Sequence, residues 1–196
     1  GVRAVGYRSG HTEMKILIAC EFSGVVRDAF SAIGHEAVSC DLLPTEQPGP
    51  HIQTDVLSLL NMGWDMMIAF PPCTYLCRSG ARWWPDRRVE QEEALQFVHT
   101  LAGSSVPRIA IENPIGCLST RWRKPDQIIQ PWWFGVPEVK ATCIWLKGLP
   151  ELQPTDIVEG RTPRVHHERP GPDRWKNRSR TLPVVAAAMA SQWGNL

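Results

Sequence analysis

Apolar residues in the first two thirds of the chain fall in short runs, separated by stretches with helical spacing. Residues 15–20 form the first run. After Ser23 and Gly24, the positions Val26, Ala29, Phe30 and Ile33 share one helical face, and Gly34 supplies a stop. Residues 36–40 read as a second strand, ended by Asp41 and a Pro/Gly-rich loop to Pro50. Residues 51–54 read as a third, leading to Asp55 and a short helix to Met62. A fourth strand, 65–70, is stopped by Pro71 and Pro72. Helical spacing returns over 88–102 with Leu95, Val98, Leu101 and Ala102, and a fifth strand, 108–113, is stopped by Pro114.

Short apolar strands alternating with helices imply right-handed crossovers and a mostly parallel sheet covered by helices on both faces, an α/β Rossmann-like class. Such sheets bind ligands at the carboxyl ends of their strands. The polar residues that follow strands are Glu21, Asp41, Asp55, Cys73 and Glu112. Beyond Pro114 the chain changes character. Trp122, Trp132, Trp133, Trp145 and Trp175 stand in a Pro- and Arg-rich stretch, with one strand expected over 140–147 and one apolar helix over 182–193. Residues 14–196 are read as a single domain, with 115–175 as a small Trp/Arg-rich recognition region. Met14 directly precedes the first strand, so residues 1–13 are read as a tail or vector-derived segment.

With 196 residues the chain can bury one core, and it has no apolar run of the roughly 20 residues a membrane span needs. The six cysteines are scattered, and the spacing from Cys73 to Cys77 has no matching second half, so neither disulfides nor a metal site is expected. Cys20 and Cys40, in apolar strand ends, read as core residues. Net charge is only +1, but residues 161–180 carry seven Arg or Lys against Glu168 and Asp173. That surplus suits a phosphate-facing patch as well as it suits a solvated loop. His166 and His167 fit an exposed loop pair better than a metal or phosphate contact.

The segments Pro71-Pro72-Cys73 and Glu112-Asn113-Pro114, each ending a strand, resemble the nucleophile loop and the base-binding glutamate turn of the DNA cytosine-C5 methyltransferases. Phe22-Ser23-Gly24 resembles the family's cofactor loop. Asp41 and Asp55 stand where the family's ribose and adenine ligands stand, and Lys176, Arg178 and Arg180 resemble its arginine motif. The last helix resembles its final cofactor-side helix. In order, the similarities run over roughly residues 15–194.

The resemblance implies S-adenosylmethionine as cofactor, held by Glu21, Phe22, Ser23, Gly24, Asp41, Leu42, Asp55, Val56 and Pro71. It implies nucleic acid, DNA first, as partner, met by Pro72, Asn113 and Lys176. It implies Cys73 as nucleophile, Glu112 on the N3/N4 edge of the base, and Arg178 and Arg180 on O2 or phosphate. A bacterial cytoplasm and a compact phage-type member are the matching expectations. C5 of cytosine is a poor nucleophile, and a thiolate adding at C6 makes it enamine-like, which is why this chemistry needs a cysteine. A base inside a duplex cannot meet these groups, so a flipped or unpaired cytosine is implied.

The chain departs from the family pattern. Val25-Val26-Arg27 replaces further glycines, Cys20 replaces an acid, and roughly sixty residues separate Pro114 from the arginine motif, too few for a usual target-recognition domain. Three other readings stay open: C5 methylation of RNA or of a cytidine nucleotide, an exocyclic amino-methyltransferase, and a non-catalytic nucleic-acid-binding partner. An amino-methyltransferase would carry Asp or Asn before Pro-Pro; this chain carries Phe70. Binding alone would need neither Cys73 nor Glu112. Asp41 and Asp55 also read as strand-end caps, and Cys77 as a structural cysteine or a second thiol of the site. About half the tryptophans are expected to pack rather than stack on bases.

Overall fold

Seven strands form one sheet in a computed structural model that describes residues 12–164 and 167–196. They are β1 (Lys15–Ala19), β2 (Glu36–Asp41), β3 (His51–Gln53), β4 (Met66–Ala69), β5 (Arg108–Pro114), β6 (Gln127–Ile129) and β7 (Thr142–Lys147). Their order is β3-β2-β1-β4-β5-β7-β6. The first five run parallel, while β7 is antiparallel to both β5 and β6. The mixed α/β class expected from the alternation is the class observed.

The central strands are continuous apolar runs because both faces are covered. Alternate residues serve the two layers, as the pleat requires. Ile16, Ile18, Met66 and Ile68 meet α1 (Val25–Ala32) and α5 (Pro183–Trp193) through Val26, Phe30, Ala186 and Met189. Leu17, Ala19, Met67 and Ala69 meet α2 (Arg88–Ala102) through Leu95, Val98 and Leu101. Met14 is buried, whereas Thr12 and Glu13 are exposed; the rest of the tail expected over 1–13 lies outside the described residues, as does His166. No helix among the described residues is long and apolar enough to cross a membrane.

Gly34 stops α1 as its sequence predicts. Its amide reaches the Ser31 carbonyl at 3.0 Å, the His35 amide reaches that of Phe30 at 3.3 Å, and its φ of 96° suits glycine. The short elements are those the apolar pattern does not announce: the three-residue β6, α3 (Leu118–Arg121), α4 (Arg174–Ser179) and a 3-10 segment over Arg78–Asp86. Each is shorter than the window over which a period can be read.

Arg27 is fully buried, the feature that replaces the missing glycines after Gly24. Its guanidinium donates to the Asp28 carboxylate (2.8 Å), the Ser39 and Thr45 hydroxyls (both 3.2 Å) and the Gln47 and Pro48 carbonyls (3.1 and 3.2 Å). One side chain thereby joins α1, β2 and the loop after β2. Gly49 keeps that loop close, because a Cβ there would sit 2.7 Å from the guanidinium carbon. Replacing Arg27 with Ala would leave a cavity and several unpaired acceptors. Arg27→Ala is expected to lose about 3 kcal/mol of stability in urea unfolding, and a loss below about 1 kcal/mol would show that the loop is held by other contacts.

Candidate active site

The carboxyl ends of β1, β2, β4 and β5 open onto two clefts. After β1 the chain turns through Cys20 to Glu21, Phe22, Ser23 and Gly24. The Glu21 carboxylate accepts from the Val26 amide at 2.8 Å and the Ser23 hydroxyl at 3.0 Å. It therefore closes the amino end of α1 with a negative charge, where the helix dipole favours one. Burial pushes the Glu21 carboxyl up, and the bonds from Val26 and Ser23 pull it back. Cys20 packs half-buried against the core beside Cys40's strand, and its φ of 59°, a left-handed turn that carries the chain out of the sheet, also leaves it lining both clefts. Cys40 is buried.

The first cleft, of about 980 Å³, lies beyond β2 and β3 and is lined by Cys20, Asp41, Leu42, Asp55, Val56 and Pro72. The Asp41 carboxylate accepts from the Leu43 amide at 2.9 Å, and that of Asp55 from the Leu57 amide at 3.0 Å. Each acid thus caps its own strand end and still faces the cleft. Burial raises the Asp41 carboxyl, offset by the Leu43 amide and His51. The far wall comes from Tyr75 and from Glu90, Glu93, Ala94 and Phe97 of α2, which sequence reasoning did not single out. Their spacing, i, i+3, i+4, i+7 on a helix following the Pro-Pro-Cys loop, is the signal that marks them.

The second cleft, of about 600 Å³, holds Glu21, Phe22, Ser23, Pro71, Pro72, Cys73, Glu112, Asn113, Arg178 and Arg180. β4 and β5 are adjacent and parallel, with Ala69 opposite Ile111, so the loops they feed meet at one edge. The Asn113 side chain donates to the Pro71 carbonyl at 2.8 Å and ties the two turns together, while its own amide oxygen is buried with no partner among the described residues. The Cys73 thiol is pushed up by a hydrogen bond with the Cys77 thiol, by burial and by the nearby Glu112 charge. Cys77 is drawn down to about 5 by that hydrogen bond and by Ser79.

Glu112 is pushed up by burial, with Lys140 and the Thr142 hydroxyl pulling it back. Lys140, also missed by sequence reasoning, enters the cleft from the segment before β7. Its amide is held by the Gln130 side chain at 3.0 Å. No local pattern distinguishes it from a surface lysine; it becomes visible only when β7 pairs with β5.

Helix α4 brings the arginine motif to the rim. Arg178 lines the cleft, whereas Lys176 does not, its ammonium lying 5.6 Å from the Trp175 ring. Arg180 makes a two-pronged ion pair with Glu46 (2.7 and 2.6 Å) in the loop shaped by Arg27. Trp175 packs on Phe22 with ring centroids 6.0 Å apart, and Arg180 stands 5.9 Å from the same ring. Of the tryptophans, Trp145 and Trp193 are core, Trp84 and Trp133 pack partly against it, and Trp83 and Trp175 are exposed. Trp132 carries Arg161 over its ring at 3.9 Å.

No family model and no curated protein matches the chain. Among solved structures, the Entamoeba histolytica methyltransferase EhMeth is similar with a TM-score of 0.53 at 14% identity, over 76% of this chain and 58% of that one. The S. pombe Dnmt2 methyltransferase is similar with a TM-score of 0.50 at 14% identity, over 80% and 54%. The fold is therefore that of these methyltransferases, and the chain spans little more than half of their length.

The Glu46–Arg180 pair yields a test of how α4 is held. Arg180 lowers the Glu46 carboxyl, so the pair is present above the ordinary carboxylate range and is lost as pH falls through the lowered value. Glu46→Gln should speed amide hydrogen exchange in residues 174–180 while changing global stability by less than about 1 kcal/mol. Unchanged exchange there would mean that Trp175 and Phe22 suffice.

Proposed function

We propose that the chain transfers a methyl group from S-adenosylmethionine to C5 of cytosine in nucleic acid, with DNA as the first polymer and Cys73 as the nucleophile. The observation that carries this reading is the meeting of a thiol and a carboxyl, Cys73 and Glu112, in one cleft that shares Cys20 and Pro72 with the cleft lined by Asp41 and Asp55. The two similar structures being methyltransferases supports the reaction class.

The residues present fit this cofactor. The amino end of the first helix is where many α/β proteins hold a diphosphate. Here the Glu21 carboxylate occupies it and would repel one. A nucleoside with a cationic tail and no phosphate suits that charge. Asp41 and Leu42 would hold the ribose, Asp55 and Val56 the adenine, and Phe22, Ser23, Gly24 and Pro71 the methionine side. Bound there, the cofactor supplies an electrophilic methyl group.

The protein's own steps follow from the second cleft. The Cys73 thiol, giving up its proton, adds through sulfur to C6, and the C5–C6 electron pair becomes available at C5 for the methyl group. Loss of the C5 proton then re-forms the C5–C6 double bond as the Cys73–C6 bond breaks and its electron pair returns to sulfur. Glu112, whose carboxyl burial pushes up, accepts from N4 and, when protonated, donates to N3 as charge builds on the ring. Arg178 offers charge-assisted hydrogen bonds to O2 or to a phosphate. Pro72 and Asn113 shape the floor of the base site. Arg180 reaches the substrate only by exchanging its bonds to Glu46, and Lys176 meets phosphate outside the cleft.

A second reading, C5 methylation of RNA or of a cytidine nucleotide, is favoured by one observation. Only about sixty residues separate Pro114 from α4, and β6, β7 and buried side chains such as Ile129, Phe134, Trp145 and Leu152 tie part of that stretch to the sheet. That leaves few residues for a separate domain that reads a duplex sequence.

The deciding experiment mixes the protein with S-adenosylmethionine and DNA containing 5-fluorocytosine. Fluorine at C5 blocks the final elimination, so an adduct mapped to Cys73 by intact and peptide mass is expected. Its absence on DNA and its appearance on RNA would move the substrate to the second reading. Cys73→Ala should abolish methyl transfer with cofactor binding retained. Glu112→Gln should slow transfer by about 100-fold or more. Arg178→Glu should weaken nucleic-acid binding and reduce its salt slope by about one; equal slopes would place Arg178 away from phosphate.

A further inference from the structure

Another cleft, of about 800 Å³, is lined by residues other than those of the two already described. It lies between the 3-10 segment Arg78–Asp86, the first turn of α2 and the short helix α3, and Trp84, Pro85, Arg88, Gln91, Glu92 and Arg121 line it. Helix α2 divides its faces between two clefts. Glu90, Glu93, Ala94 and Phe97 line the cleft of Asp41 and Asp55, while Arg88, Gln91 and Glu92 line this one. A volume of this size is enough for a nucleotide.

Hydrogen bonds tie this cleft to the loop that carries Cys73. The buried Gln91 side chain donates to the Tyr75 carbonyl at 2.9 Å, two residues after Cys73, and accepts from Arg121 at 3.3 Å. From the other side, the Cys117 amide donates to the Leu76 carbonyl (2.8 Å) and the Arg78 amide to that of Ile115 (2.9 Å). Only glycine fits at 116, because a Cβ there would run into the Leu76 carbonyl. The walls of the cleft are thus bonded to residues 75, 76 and 78, directly after the nucleophile.

The charge of the cleft is positive. Residues 78–88 carry Arg78, Arg82, Arg87 and Arg88 against Asp86. Arg87 pairs with Glu90 at 3.0 Å, and Arg82 stands 4.9 Å from the exposed Trp83 ring. Arg121 holds Glu92, the acid that lines the cleft, and so offsets its charge. Arg88 is exposed and makes no hydrogen bond or ion pair among the described residues. It is the first residue of α2, whose amino end has no side-chain cap. A lone cation there opposes the helix dipole, whereas an anion between the guanidinium and the helix end is attracted by both. Beside Arg88, Trp84 and Pro85 form a flat apolar wall, and the Trp84 indole N–H is buried with no acceptor among the described residues.

We propose that this cleft is a second nucleotide subsite, which holds a nucleotide of the substrate strand flanking the target cytosine, its phosphate on Arg88 and its base against Trp84 and Pro85. A base joined to a phosphate is the ligand that an unpaired guanidinium beside an aromatic wall recognises. A strand is favoured over a free nucleotide because β4 and β5 feed their loops to one sheet edge, and the cleft is bonded to the loop of Cys73 there. The inference deepens the proposed function and rests on its nucleic-acid substrate. It puts the grip on the strand in the segment after the nucleophile, where an unpaired base can reach Trp84 and a base stacked in a duplex cannot.

The test walks a single 5-iodouracil through a short single-stranded DNA that contains one cytosine, and maps photo-crosslinks on the full chain by peptide mass. An adduct within residues 78–92 at a fixed offset from the cytosine is expected. Adducts from every position alike, or none in these residues, overturn the inference. Arg88→Ala, an exposed change, should weaken strand binding about tenfold and reduce its salt slope by about one. Arg87→Ala removes the same charge outside the cleft, and an equal loss there would replace the subsite with a general positive field. A mononucleotide that protects residues 78–92 as well as the strand does, at equal concentration, overturns the strand as the source. Oligoglutamate doing the same overturns the nucleotide itself. The crosslink without any 5-fluorocytosine adduct on DNA or RNA leaves the subsite standing and removes the methylation reading alone; a Cys73 adduct without the crosslink removes the subsite alone.

Discussion

A guanidinium with no access to water must find all its partners inside the protein, and that requirement at Arg27 organises the site. Its partners lie on α1, on β2 and in the loop after β2, so the loop cannot drift from the sheet without stranding a charge. The same loop carries Glu46, and Glu46 holds Arg180. A buried contact near the first strand thus sets where the arginine motif at the far end of the chain stands. The glycines at 24 and 49, which look like loop punctuation, serve to let this side chain in.

Desolvation at the strand ends supplies the second theme. Glu21, Asp41, Glu112, Cys20 and Cys73 are all raised, with burial among the leading causes. In the second cleft this bears on Cys73 and Glu112, whose surroundings disfavour added charge and suit a neutral ring.

How much of this was legible depended on the range of each interaction. The parallel strands announced themselves because burial on both faces makes them continuous apolar runs; the Pro-Pro pair marked the end of β4, and Gly34 the end of α1. Strand-end acids and Cys73 were found by placing polar residues after those runs, and the structure sets them around the two clefts. The apolar context placed Cys20 against the core, but it did not reveal the left-handed turn that also sets the residue at both clefts. Lys140 and the Glu46–Arg180 pair were invisible for a different reason: they depend on β7 pairing with β5 and on residues 134 positions apart. The Cys73–Cys77 contact lay between these cases, since i, i+4 spacing was evident but the turn that closes it was not.

The short stretch between Pro114 and α4 bears on selectivity. Antiparallel β7 packs Trp145 and Ile144 inward, and β6 and the Pro131–Trp133 turn complete the same layer, so this region is part of the fold. Trp132 lies half-buried under Arg161, and exposed Trp83 and Trp175 stand in the 3-10 segment after Cys77 and on α4. Flat aromatic faces beside guanidinium groups bind unstacked bases with little regard to identity. A protein that recognises its target in this way would read an accessible cytosine by the cleft itself, through Glu112 and Arg178, and would rely on the state of the strand to supply the base already unpaired.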